Sequence, residues 1–153
     1  MQTLPGSHKY RIAIVDDQPD FLQFAVQELG QSDTFEVVAT ASGTPEFERL
    51  IEQRPDVALV DIFMPGANGF EVSRRLKQAD PQLLVVYLSV DNIMQYPTMQ
   101  EQLGDDTFVS KKWFSESYLT AVLTHYRRTG WVPASWLPEA AAAPSAPVVS
   151  GRD

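Results

Sequence analysis

Residues 11–29 read RIAIVDDQPDFLQFAVQEL. Arg11 to Val15 is a short run rich in Ile and Val, and it ends in two aspartates, Asp16 and Asp17. Runs this short and this β-branched fit buried strands better than helices. Phe21, Leu22, Ala25, Val26 and Leu29 then recur at helical spacing, and Pro19 suits a first helical turn. The segment therefore reads as a strand feeding a helix, with two acids at the joint.

Outward from it the same unit recurs. Further apolar runs lie at Phe35–Ala41 (FEVVATA), Val57–Ile62 (VALVDI), Leu83–Val90 (LLVVYLSV) and Thr107–Ser110 (TFVS). The second helical pattern has Thr44 as N-cap, Pro45 at its first position, then Phe47, Leu50 and Ile51, and Pro55 stops it. The third carries Val72, Leu76 and Ala79 before Pro81, and the last begins near Ser115 with Leu119, Val122, Leu123 and Tyr126. The interval between Asn92 and Gly104 has the weakest pattern; Pro97 inside it predicts a late-starting, short or irregular helix. The order is (βα)5, an α/β chain. Strands alternating with helices imply a doubly wound, five-stranded parallel sheet covered on both faces through right-handed crossovers. Ligands of such sheets bind beyond the carboxyl ends of the strands.

Composition narrows the function classes. The 153 residues are a prior for one domain, and 44% hydrophobic with 21% charged residues is ordinary for a globular protein. No stretch approaches the roughly 18 apolar residues of a membrane span, and Met1 to Tyr10 has no apolar core for a secretory signal. Without cysteine there is no disulfide framework, thiol nucleophile or cysteine-ligated zinc; a cytoplasmic location is the expectation. A formal net charge of −8 suits the chain poorly to direct binding of nucleic-acid phosphates. From Thr129 onward the character changes: Pro133, Pro138, Pro144, Pro147 and the Ala140–Ala143 run read as a flexible tail or a cut linker. The expected organisation is an N-terminal extension over 1–8, a domain over 9–128 and a tail over 129–153, in which Trp131, Val132, Trp136 and Leu137 are suited to packing on the domain or on a partner.

The chemistry lies at strand ends. Asp16 and Asp17 follow the first run, Asp61 ends the third inside an otherwise apolar stretch, Ser89 lies near the end of the fourth, and Lys111 ends the fifth. Any one of these has an ordinary structural reading: a turn or helix cap for the acids, a solvated charge for the lysine. Together they meet at one edge of the sheet. Three carboxylates converging there repel one another, and a hard divalent cation with oxygen ligands is the natural neutraliser.

The stretches RIAIVDDQPDFLQFAVQEL, VALVDIFMPGANGFEVSRRL, LSV and FVSK resemble the receiver domain of two-component response regulators, a flavodoxin-like fold, over about Lys9 to Arg128. The motif set is specific: an acidic pair, an aspartate 44 residues on from Asp17, a Met-Pro-Gly turn, a hydroxyl 28 residues later and a lysine 22 residues after that. The resemblance implies that Asp61 is the phosphoacceptor, and that Asp16, Asp17, Asp61 and the backbone carbonyl of Phe63 hold Mg2+. It implies that Lys111 binds the phosphoryl group, and that Ser89 and Phe108 are the switch hydroxyl and aromatic. Lys112 is a rival for the lysine role; the spacing from Phe108 favours Lys111, and strand alternation puts the two on opposite faces. The implied partner is a sensor histidine kinase or histidine phosphotransfer protein. The implied output is a homodimer or downstream protein engaged through the fourth helix, fifth strand and fifth helix, with no direct contact to nucleic acid or membrane.

Departures from the family pattern are Val90 after Ser89, where a small residue is common, Phe63 and Asp91 flanking the pocket, and Lys112 in place of proline. Asp105 and Asp106 replace a Gly-Ala turn, and Pro97 lies in the fourth helical region. Pro65-Gly66 and Asn68-Gly69 read as turns; His8 and His125 read as surface residues and Trp113 as packing or surface. Three functions compete: a phosphorylation-dependent switch that is regulatory rather than an enzyme, a phosphorylation-independent interaction module of the same fold, and an aspartate-nucleophile phosphohydrolase. The last needs a second aspartate two residues after the nucleophile, where this chain has Phe63. The module would lose the acidic pair, acceptor or lysine, and all are present.

Overall fold

The computed structural model describes residues 9–42, 46–90, 95–104 and 106–128. Five strands, β1 (Tyr10–Val15), β2 (Phe35–Ala41), β3 (Val57–Asp61), β4 (Leu84–Ser89) and β5 (Thr107–Ser110), form a parallel sheet in the order β2-β1-β3-β4-β5. The helices are α1 (Pro19–Gly30), α2 (Phe47–Glu52), α3 (Gly69–Ala79), α4 (Pro97–Leu103) and α5 (Glu116–Arg128). This is the expected doubly wound α/β architecture.

Strand alternation sorts the side chains into two cores. Ile12, Ile14, Leu59, Val86 and Leu88 face Ala25 and Leu29 of α1 and Leu119 and Leu123 of α5. Ala13, Val15, Val60, Val85 and Tyr87 face Leu50 of α2, Val72 and Leu76 of α3 and Leu103 of α4. The central strands β1, β3 and β4 are buried on both faces, so they read as unbroken apolar runs rather than alternating ones. Their carboxyl ends consequently stop together at one rim.

Several boundaries move from the sequence reading. β3 ends at Asp61, and the chain after it makes a small antiparallel ladder of Phe63–Met64 with Ala67–Asn68, turned by Pro65 and by Gly66 at φ +74°. β4 begins at Leu84, because the Leu83 N–H is taken by the Asp80 carbonyl in the preceding turn. Val26 and Ala79, expected on apolar faces, are exposed. α4 is short and starts at Pro97, as the proline demands: its missing N–H is harmless only in the first turn. The expected cap at Thr44 and Pro45, the N-terminal extension and the tail with its two tryptophans lie outside the described residues.

Candidate functional site

Asp16 and Asp17 follow β1, Asp61 closes β3, Ser89 closes β4, and Lys111 comes directly after β5. The parallel register brings these ends together: Val15 pairs with Val60, Asp61 with Leu88, and Ser89 with Ser110. Carboxylate oxygens of Asp16, Asp17 and Asp61 all lie within 4.8 Å of one another. Asp16 is fully buried and Asp61 is 4% exposed.

Lys111 answers this charge. Its side chain is only 6% exposed, and its Nζ stands 2.7 Å from Asp16 Oδ2 and 3.6 Å from Asp61 Oδ2. The same ammonium donates to Gln18 Oε1 at 2.7 Å and lies 4.8 Å from the centroid of the Phe21 ring. Lys112 is exposed. The two lysines do part company, but not through strand alternation: Lys111–Trp113 form a 3-10 turn that begins where β5 stops, with the Ser110 hydroxyl accepting from the Lys112 N–H.

The remaining site backbone is fixed by short loops. Asp16 Oδ1 accepts from the Gln18 N–H at 2.8 Å, and Asp61 Oδ1 accepts from the Phe63 N–H at 3.2 Å. Asn68 caps α3 by accepting from the Phe70 N–H at 2.7 Å. Gly69 opens that helix where a Cβ would collide with the Asp61 carbonyl oxygen and lie 2.7 Å from the Ile62 Cα. Only glycine lets α3 start this close to the end of β3, so Gly69 is a site residue in its own right. The sequence alone presents Gly69 as turn geometry and gives no sign of Gln18.

Electrostatics follow from the crowding. Burial first, and then the negative charge of Asp16, push the Asp61 carboxyl up from 3.8 to about 6, against the pull of Lys111 and the Phe63 N–H. Asp16 Oδ2 is buried, and the Lys111 ammonium at 2.7 Å is the partner that offsets its charge. Three carboxylates gathered within 4.8 Å around one lysine leave net negative charge, and this oxygen donor set fits a hard divalent cation.

Around the rim, Phe63 and Val90 are 46% and 48% exposed, and Trp113 is 74% exposed. Ser89 is fully buried, and Phe108 is half-buried against the core on the α2, α3 and α4 side. Asp106 takes both carboxylate oxygens to Lys77 of α3, at 2.8 and 2.9 Å. Tyr87, on the same side of β4, has its hydroxyl pushed up to about 12, mainly by burial. His125 is exposed. Asp91, Asp105 and His8 lie outside the described residues.

Comparison with known proteins gives a consistent answer. Residues 12–124 match the family model of the response regulator receiver domain. The chain is 33% identical over 118 residues to the transcriptional regulatory protein DegU of Brevibacillus brevis, covering 76% of this chain and 50% of that protein. It is 32% identical over 102 residues to the response regulator GacA of Pseudomonas viridiflava, covering 66% and 48%. It thus spans about half the length of these curated relatives. Among solved structures it is similar to the non-phosphorylated receiver domain of the stress response regulator RcsB from Escherichia coli. That likeness has a TM-score of 0.67 at 20% identity and covers 79% of this chain and 95% of that one.

Proposed function

The chain belongs to the response regulator receiver domain family, the receiving component of two-component signalling, and on that premise we propose that it is a phosphorylation-dependent switch whose acceptor is Asp61. The observation that carries this is the convergence of Asp16, Asp17, Asp61 and Lys111 within a few ångströms at one strand rim. Asp16, Asp17, Asp61 and the Phe63 carbonyl are the ligands proposed for Mg2+. The cation, when bound, supplies positive charge against which the non-bridging phosphoryl oxygens are stabilised.

In the proposed reaction an Asp61 carboxylate oxygen forms a P–O bond as the P–N bond to a partner's phosphohistidine breaks, and the released imidazole takes a proton from solvent. Asp61 sits at the end of a rigid central strand, so its nucleophilic oxygen is aimed rather than searched for. The Lys111 ammonium, 3.6 Å from Asp61 before reaction, neutralises the incoming phosphoryl oxygens. Attack by water on the aspartyl phosphate restores the carboxylate and releases phosphate.

The modified side chain carries more negative charge and more acceptor oxygens than the carboxylate it replaces. Ser89, at the end of β4, donates to one of them and draws that strand end inward. Phe108, on the neighbouring strand, then packs deeper, and the α4-β5-α5 face changes. Phosphate selects this arrangement because it alone makes those contacts. The donor is a histidine kinase or phosphotransfer protein, and the altered face is the one offered to a second copy or a downstream partner. Residues 9–128 are the proposed receiver unit.

The test is incubation of the chain with phosphoramidate or acetyl phosphate and Mg2+. Intact mass is expected to show one labile phosphate adduct, lost in Asp61→Asn. No adduct from small donors or from histidine kinases refutes the acceptor role and favours a phosphorylation-independent interaction module.

A further inference from the structure

Gln18 occupies the residue just before α1, where its carbonyl accepts the first helical hydrogen bond from the Leu22 N–H at 3.0 Å. Ser, Thr, Asp or Asn there would cap the helix with the side chain. Gln18 makes no such cap. Its side chain turns away, and Oε1 accepts from Lys111 Nζ at 2.7 Å, across 93 residues of sequence. An ammonium only donates, so the atom facing it is the amide oxygen.

These contacts close a ring. Asp16 Oδ1 holds the Gln18 N–H, Gln18 Oε1 holds the Lys111 ammonium, and Lys111 Nζ returns to Asp16 Oδ2. Phe21, one turn into α1, carries its ring beneath the same ammonium. Gln18 is itself exposed, whereas the Lys111 side chain is almost covered.

We propose that Gln18 is a positioning residue for Lys111: it keeps the ammonium at the rim, within reach of Asp61, through a neutral hydrogen bond that does not compete for the carboxylates. This rests on the reading of Asp61 as acceptor and Lys111 as its phosphoryl-binding partner. The physical need is specific. Asp16 holds Lys111 by charge, and any cation shared among the three carboxylates weakens that hold. A carboxylate at position 18 would trap the lysine by charge, whereas an amide oxygen fixes its place and leaves its remaining N–H groups to Asp16, Asp61 and what Asp61 carries. A local helix rule is broken at this residue, and the contact with Lys111 is what its side chain makes instead.

The test compares the full chain with Gln18→Met, Lys111→Met and the double variant. Without metal, acylation of lysines by an amine-reactive ester is mapped by mass spectrometry. Lys111 is expected to react much more slowly than Lys112, and Gln18→Met is expected to speed Lys111 severalfold without changing Lys112. With phosphoramidate and Mg2+, Gln18→Met is expected to slow adduct formation about tenfold, the order of one hydrogen bond to a charged group. No further slowing is expected once Lys111 is replaced by Met. Unchanged Lys111 reactivity in Gln18→Met overturns the proposal, as does an equal loss of rate in the Lys111→Met background. A wild-type chain that forms no adduct refutes the acceptor reading instead, and the acylation arm still decides whether Gln18 holds Lys111.

Discussion

Replacing Asp61 by Asn should stabilise the metal-free protein, and the gain should depend on pH in a defined way. Asp61 is held up at about 6 from 3.8, by burial and by Asp16. A group whose folded-state value is raised binds its proton more tightly when folded. Its favourable contribution is therefore complete below about pH 4 and is lost as pH rises through about 6. Taken at face value, the shift corresponds to about 3 kcal/mol of destabilisation at neutral pH. Asp61 is buried but lies at the strand-end rim, where local relaxation and partial solvent screening bring the expected figure to about 1–2 kcal/mol. An asparagine in its place keeps the shape and drops the charge. For a domain of this size that is a rise in Tm of about 5 °C.

The assay is thermal unfolding of wild type and Asp61→Asn in chelator, from pH 4.5 to 8. The gap should be widest above pH 7 and fall to about half to two-thirds of that by pH 4.5. Divalent cation should narrow it from the other side: at ten times its dissociation constant it stabilises wild type by about 1.4 kcal/mol. A variant no more stable than wild type at pH 7.5 in chelator, or a gap flat across the range, would refute the claim that three crowded carboxylates strain this rim.

Gly69→Ala should cost about 1–3 kcal/mol in denaturant unfolding and slow phosphoryl uptake, because its Cβ would have to displace the Asp61 backbone; full stability with unchanged uptake would contradict the close approach. Phosphorylation is expected to change the fluorescence of Trp113, two residues from Lys111; Lys111→Ala should still permit an adduct yet abolish that change, while Lys112→Ala should leave both intact, and the reverse pattern would exchange the roles of the two lysines. Leu59→Ala, in a central strand with no exposed surface, should lose about 2–5 kcal/mol by chemical denaturation. Lys77→Met should change stability by less than about 1 kcal/mol, since its pair with Asp106 is partly open to water.

How much is legible in the sequence follows from what each feature depends on. β1, β3 and β4 are buried on both faces, so each writes itself as an apolar run, and the polar residue that ends it marks the rim. Pro97 announces the start of α4 because a missing N–H is a local property. Gln18 is illegible for the opposite reason: its meaning is a contact with a residue 93 positions away, and as a helix-start residue it simply looks poor. The ladder between Phe63–Met64 and Ala67–Asn68 is too short for any period to show. Spacing selects Lys111, yet the 3-10 turn that separates it from Lys112 leaves no pattern in three residues.

The two kinds of feature are physically coupled. A doubly wound sheet must end its strands somewhere, and the apolar runs that make it stable also make that rim a poor place for charge. Asp16 and Asp61 are tolerated there because Lys111 offsets part of their repulsion, and Lys111 in turn contacts Gln18 and Phe21. The compensation is incomplete: one ammonium faces three carboxylates, and Asp61 remains perturbed. On the proposed reading, the residual repulsion at this rim adds to what a cation or a phosphoryl group gains by binding there. A variant that relieved it, such as Asp61→Asn, should be the more stable protein and the inert one.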